Sequence, residues 1–211
     1  MHVLVDQGVT VFGQHIGWAE LIGQVFALAV VFLAQRRTLW TWPVQLVSVV
    51  LLFAVYLSAH LGGLAVRQLA VGVIALYGWW AWARRRDPVF GVAVRRASGW
   101  ELLATGVAFV AGTVVFALVL DALDASWAPW PDAAIFIGTV LAFGLQAYGL
   151  VEFWIVWLLV DAIGVPLQLG SGLYFSALIY TVFAGLVVYG WVSWHRSAKQ
   201  QSAGATSAVH A

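Results

Sequence analysis

The chain contains no cysteine. Disulfide frameworks and thiolate metal sites are therefore excluded. Asparagine is absent as well, and the only lysine is Lys199, near the C-terminus. A retinal Schiff base within a seven-helix bundle needs a lysine inside a span, so that chemistry is ruled out. Charge is scarce: 9% of the 211 residues are charged, against about 25% in a typical soluble domain. The five histidines (2, 15, 60, 195, 210) are scattered. No H-E-x-x-H, G-x-S-x-G or P-loop occurs. No enzyme activity, metal, cofactor or nucleic-acid partner is expected. The first residues, MHVLVDQGVT, have neither a basic n-region nor a cleavage site, so no removable signal peptide is expected.

What the chain has is apolar surface. Hydrophobic residues make up 63% of it, and the mean hydropathy is +0.94. That excess is too widespread for a soluble core and reads as a polytopic, all-α integral membrane protein in the lipid bilayer. Thirteen tryptophans fit interfacial belts and leave some for another use.

Seven transmembrane helices are predicted, at 17–34, 42–58, 64–83, 100–120, 133–148, 151–168 and 172–194. The ends after spans 1, 3 and 7 hold Arg36, Arg37, Arg84, Arg85, Arg86, Arg95, Arg96, Arg196 and Lys199, and the other side holds only Arg67. The positive-inside rule then puts the N-terminus outside and the C-terminus in the cytoplasm. The chain divides into a lead-in (1–15), a first three-helix bundle (16–83), a basic cytoplasmic loop (84–99), a linker helix (100–120), an outer loop (121–132), a second three-helix bundle (133–194) and a cytoplasmic tail (195–211). The tail is polar and rich in small residues, and is expected to be disordered.

A repeat runs through the two bundles. Tyr77-Gly78-Trp79-Trp80-Ala81-Trp82 ends span 3 and Tyr189-Gly190-Trp191-Val192-Ser193-Trp194 ends span 7, both as Y-G-W-x-x-W and 112 residues apart. The same offset pairs Trp42 with Trp154, Trp18 with Trp130, Gln68 with Tyr180 and Gln45 with Trp157. One linker helix between two three-helix units gives a 3+1+3 parallel repeat, with a solute site expected near the midplane between the halves.

Span 6 carries the sharpest chemical signal. Trp154, Trp157 and Asp161 share one face of a helix. A carboxylate at the bilayer centre costs about 2.5–3.5 kcal/mol on insertion scales, which makes it a functional-site candidate by default. A structural Asp bonded to a neighbouring helix is the alternative. Trp154 lies nearer the span end, where interfacial anchoring competes with ligand contact. Trp157 lies deeper and suits stacking on a flat ring. Gln68 and Gln45 are amides within spans, and helix–helix hydrogen bonding is an equal reading for each. Tyr180 completes the candidate substrate-binding set.

The blocks ALYGWWAW (75–82), GLVEFWIVWLLVDAIGVPL (149–167) and GLYFSALIYTVFAGLVVYGWVSW (172–194) resemble the PnuC vitamin transporters. The likeness covers nearly the whole chain. It implies a fold like that of the sugar-transporting SWEET proteins and a homotrimer. It also implies facilitated diffusion of nicotinamide riboside across the cytoplasmic membrane, with trapping by a cytosolic vitamin kinase. Trp154, Trp157, Asp161, Gln68 and Tyr180 match the family's substrate-facing positions. Where many relatives have asparagines, this chain has Ser48 and Ala75. The strings GQHIGWAELIG (13–23), TWPVQL (41–46) and PWPDAAIFIGT (129–139) are similar to an actinobacterial branch that imports riboflavin. Riboflavin is the favoured solute, and nicotinamide riboside is the alternative. A seven-helix vitamin sensor or scaffold that passes nothing is the rival outside transport.

Overall fold

An apolar run with no water around it has to satisfy its backbone internally, and a helix does so within one segment. The structure, a computed structural model, describes residues 8–11, 14–58, 62–87, 91–170 and 174–209 and is mostly helical. A hairpin of β1 (Gly8–Val11) and β2 (Gln14–Gly17) leads into α1 (Trp18–Gln35), α2 (Thr41–Ser58) and α3 (Gly62–Arg84). A two-residue ladder of β3 (Arg86–Asp87) and β4 (Gly91–Val92) follows. Then come α4 (Gly99–Ala122), α5 (Pro129–Ala147), α6 (Phe153–Gly170) and α7 (Tyr174–Val209).

Local chemistry explains the starts. Ser98 caps α4 through a capping box with Glu101. Pro129 opens α5, where a missing N–H costs nothing. Just before it, the Ser126 hydroxyl donates to the Asp132 carboxylate. Helix α6 continues through Pro166 to Gly170. Among the described residues, four helical stretches are long and apolar enough to cross a bilayer: Gly99–Ala122, Pro129–Ala147, Phe153–Gly170 and Ala177–Gln200.

Six of the helices close a ring. Helix α1 packs on α2, α2 on α3, α3 on α5, α5 on α6, α6 on α7, and α7 back on α1. Helix α4 stands outside the ring and packs on α5. It is the most apolar of the four stretches and is almost unburied.

The chain enters α2 and α6 through the same turn, built twice. Arg37 N–H donates to Ala34 O and Thr38 N–H to Leu33 O; 112 residues later Gly149 N–H donates to Gln146 O and Leu150 N–H to Leu145 O. Arg37 and Gly149 both have left-handed backbone, with φ of 55° and 70°. These are the closing bonds of a helix C-terminus, which satisfy carbonyls that have no partner within the helix.

Side chains repeat the same exchange. Trp82 Nε1 donates to Gln146 O at 3.0 Å, and Trp194 Nε1 donates to Ala34 O at 3.0 Å. A Cβ at Gly78 would overlap the Trp42 ring, and one at Gly190 would overlap the Trp154 ring. Glycine at these two positions lets an indole lie directly on a helix backbone. Trp42, Trp82, Trp154 and Trp194 are all essentially fully buried. Trp42 meets Trp82 edge-on at 5.2 Å, Trp82 lies 6.1 Å from Trp194, and Trp154 lies 6.0 Å from Trp194. Together they fill the arginine-rich end of the ring.

The basic loop docks against this end. Arg95 N–H donates to Gly149 O, and Val151 N–H donates to Arg95 O. The Glu152 carboxylate accepts from Ala97 N–H at 2.8 Å and has Arg96 Nε at 3.8 Å. Arg95 pairs with Glu101, whose carboxylate holds the guanidinium above its usual pKa.

Within the lead-in an antiparallel hairpin pairs Gly8 with Gly17. One expectation changes. The tail from His195, expected to be disordered, continues α7 to Val209. Its early residues are held by Trp194 and Ala198, both buried. Beyond them the run is rich in Ala and Gln and free of proline, which suits a helix. The turn expected at residues 59–63 lies largely outside the described residues, with α3 already begun at Gly62.

Candidate functional site

The ring encloses a cavity of about 280 Å3, reached by side chains from all six of its helices. On α1 the lining runs from Gly23 to Ala34, about 16 Å along the helix axis. The cavity stops at the tryptophan layer, with Trp154 and Phe153 in its floor.

All six sequence-predicted residues line this one cavity: Gln45 from α2, Gln68 from α3, Trp154, Trp157 and Asp161 from α6, and Tyr180 from α7. Their settings differ. Trp154 is 1% exposed and packs on Phe153 at 4.3 Å, so it belongs to the floor as much as to the wall. Trp157 is only partly buried and meets Phe143 edge-on at 5.3 Å, interplanar angle 90°. That contact occupies part of one aromatic system and leaves the indole at the cavity surface.

Asp161 is 6% exposed, and its Oδ2 has no hydrogen-bond partner among the described residues. An acceptor left unpaired in a cavity wall is costly unless a donor comes to it. Two glycines make room around Asp161. Gly138 on α5 admits the Val160 side chain, and Gly164, one turn beyond Asp161, admits the Tyr180 ring. Gln68 and Gln45 are both buried polar groups.

Sequence reasoning missed several lining residues. Gln146 sits in the wall at 2% exposure, with Nε2 unpartnered among the described residues. Its polarity inside a span was the available signal, but helix–helix bonding explained that equally well. Ser48 and Thr139 add hydroxyls, and the Thr139 hydroxyl already donates to Ile135 O at 2.7 Å. Arg67 also lines the cavity. From sequence it reads only as a charge near a span end. The Y-G-W-x-x-W ends divide cleanly: the glycine and the last Trp pack in the core, while Tyr77, Trp79, Tyr189 and Trp191 are exposed. Chemically, the cavity combines an aromatic wall, three amide-bearing helices and an acid whose Oδ2 lacks a donor among the described residues. It can hold a flat, polar, ring-bearing molecule. No group of three or more His, Cys, Asp or Glu placed to hold a metal occurs among the described residues.

The profile of the family described as nicotinamide mononucleotide transporter matches residues 17–196. The chain is 42% identical to the riboflavin/roseoflavin transporter RibM of Streptomyces davaonensis, over 96% of each chain. It is 21% identical to the nicotinamide riboside transporter PnuC of Escherichia coli, over 98% of this chain and 97% of that one. A crystal structure of the vitamin B3 transporter PnuC superimposes with a TM-score of 0.71 at 21% identity, covering 87% of this chain and 83% of that one. Apolar helices and transporter relatives together make this a multi-pass cell-membrane protein. The chain belongs to the PnuC, or nicotinamide mononucleotide transporter, family.

Proposed function

We propose that the chain is a facilitative carrier that takes riboflavin into the cell. The observation that carries this reading is the single cavity between the two three-helix units, lined by Trp154, Trp157, Asp161, Gln68, Tyr180 and Gln45. Riboflavin has a flat, uncharged tricyclic ring that suits Trp157. Its imide N–H and ribityl hydroxyls are donors for Asp161 and partners for Gln68, Gln45 and Tyr180. Stacking a heterocycle on an aromatic side chain contributes about 1–3 kcal/mol in nucleic-acid cases. The 42% identity to a riboflavin transporter supports the same solute.

In this reading α1 to α7 all span the bilayer, with the N-terminus outside and the C-terminus in the cytoplasm. The charge distribution supports that orientation. The doubled turn, the exchanged tryptophan bonds and the paired Gly78 and Gly190 contacts support a 3+1+3 parallel repeat with α4 as linker. The two halves rock about the cavity and expose it to each side in turn. Transport is uncoupled, since among the described residues no second acid lines the cavity to relay a proton from Asp161. Accumulation then depends on a cytosolic kinase that phosphorylates the vitamin. A homotrimer is the assembly that the family resemblance implies.

Nicotinamide riboside is the second reading, favoured by the family description and by the Escherichia coli relative. Purified protein in liposomes decides between them. Labelled riboflavin should equilibrate across the membrane without an ion gradient, and unlabelled riboflavin should compete better than nicotinamide riboside. Strong stimulation by an imposed proton gradient would sink uncoupled transport. No flux of either vitamin would sink the transporter reading in favour of a sensor.

A further inference from the structure

Arg67 has no role in the reading above, yet it lines the same cavity. It forms no ion pair and no hydrogen bond among the described residues. Arg67 lies fifteen residues before Trp82 on α3, about 22 Å along the axis from the tryptophan layer. Asp161 lies seven residues after Trp154 on α6, about 10 Å from the same layer. Arg67 therefore lines the end of the cavity opposite the tryptophans, on the far side of Asp161 from the floor. The 112-residue counterparts of Arg67 and Asp161 are Ile179 and Val49. Among the described lining residues, α1–α3 thus bring one charged side chain to the cavity and α5–α7 another, at non-equivalent positions.

A guanidinium presents five donors, accepts nothing and keeps its charge at any physiological pH. At that end of the cavity it does two things. It donates to hydroxyl or carbonyl oxygens of a passing solute. It also repels a solute that carries a fixed positive charge, through a low-dielectric wall where screening by water is weak. Riboflavin is neutral and trails a polyol chain. Nicotinamide riboside is an N-alkylpyridinium and carries a permanent positive charge.

We infer that Arg67 is a specificity-determining residue: a fixed charge at that end of the cavity that favours neutral, hydroxyl-bearing solutes over cationic nucleosides. The inference rests on the carrier reading of this cavity, and it can be tested apart from riboflavin itself. Nicotinamide riboside and its reduced dihydro form have nearly the same shape and differ by one unit of charge. Binding of each to the purified, detergent-solubilised protein is followed by tryptophan fluorescence.

Asp161 attracts the cation in every variant, so the readout is the change in the ratio of neutral to cationic binding. Arg67→Gln should shift that ratio roughly tenfold toward the cation, the worth of like charges about 10 Å apart at an effective dielectric near 20. Arg67→Lys should keep the wild-type ratio, because the charge remains. An unchanged ratio in Arg67→Gln would overturn the inference. So would the same shift appearing in Arg67→Lys. An arginine that only anchored α3 to lipid headgroups would change the yield of folded protein in these variants and leave the ratio alone. Failure of the riboflavin reading looks different: a protein that shows the Arg67→Gln shift yet binds no riboflavin.

Discussion

Helices α1–α3 and helices α5–α7 are alike at one end and unlike along the cavity. At the arginine-rich end the likeness is atomic. Trp82 and Trp194 make the same bond to the opposite half, Trp42 and Trp154 lie on matching glycines, and Arg37 and Gly149 share a left-handed turn. Along the cavity the matching positions diverge. Gln45 faces Trp157 across the offset, Val49 faces Asp161, Gln68 faces Tyr180 and Arg67 faces Ile179. The frame demands one geometry from both halves, because each indole must fit the other half's backbone. The polar and aromatic side chains that line the cavity differ between the two sets of helices: Gln45, Ser48, Gln68 and Arg67 come from α2 and α3, and Thr139, Gln146, Trp157, Asp161 and Tyr180 from α5 to α7.

The largest effects should follow from attacking the frame. Gly78→Leu and Gly190→Leu each drive a side chain into a buried indole, an overpacking cost of about 3 kcal/mol or more. Both should remove most of the monodisperse protein in size-exclusion chromatography, and to a similar extent. If Gly78→Leu were tolerated while Gly190→Leu was not, the halves would not share their load equally.

The next effects lie in the wall, and here the halves should part company. Asp161→Ala and Trp157→Ala should lower riboflavin uptake about tenfold or more, the loss expected when a charged hydrogen bond or a stacking platform goes. Both proteins should still insert and purify normally. Val49→Ala, at the position matching Asp161, should change uptake less than about twofold, since it removes no polar partner. Gln45→Ala should fall between. Equal losses at Asp161 and Val49 would mean that packing rather than chemistry is being measured.

How far the site was legible follows from the same contrast. Trp154, Trp157, Asp161, Gln45, Gln68 and Tyr180 stood out because indole, acid and amide are rare against an apolar background, and the 112-residue register tied them together. Arg67 did not stand out, because an arginine one to two turns from a span end ordinarily reaches for headgroups. Whether it turns to lipid or to the cavity is decided by the ring of helices, which no local pattern reveals. Trp154 was hidden in part for a related reason. Its burial depends on Gly190, far away in sequence, so its share in the floor is a tertiary property. The hairpin at residues 8–17 had no clear alternating pattern, and the tail's polarity concealed a composition that favours helix.

The smallest effect should come from the turn, where one half departs from the residue its backbone prefers. Gly149 adopts φ of 70° without strain, and a Cβ there would meet Ala93 O at 2.7 Å. Arg37 adopts φ of 55° with a side chain attached. The left-handed region costs a non-glycine residue about 1–2 kcal/mol. Burial also lowers the pKa of the Arg37 guanidinium, and its Nη1 has no partner among the described residues. Arg37→Gly relieves both burdens, while glycine's greater freedom in the unfolded chain takes back roughly 0.5–1 kcal/mol. The balance favours the variant by about 1 kcal/mol, a rise in melting temperature of about 2–4 °C for a chain of this length. Eight of the nine basic residues on that side would remain, enough to keep the orientation. A fall in melting temperature would show that the first half retains arginine here for a contact that outweighs the strain, and that the two turns differ in purpose as well as in sequence.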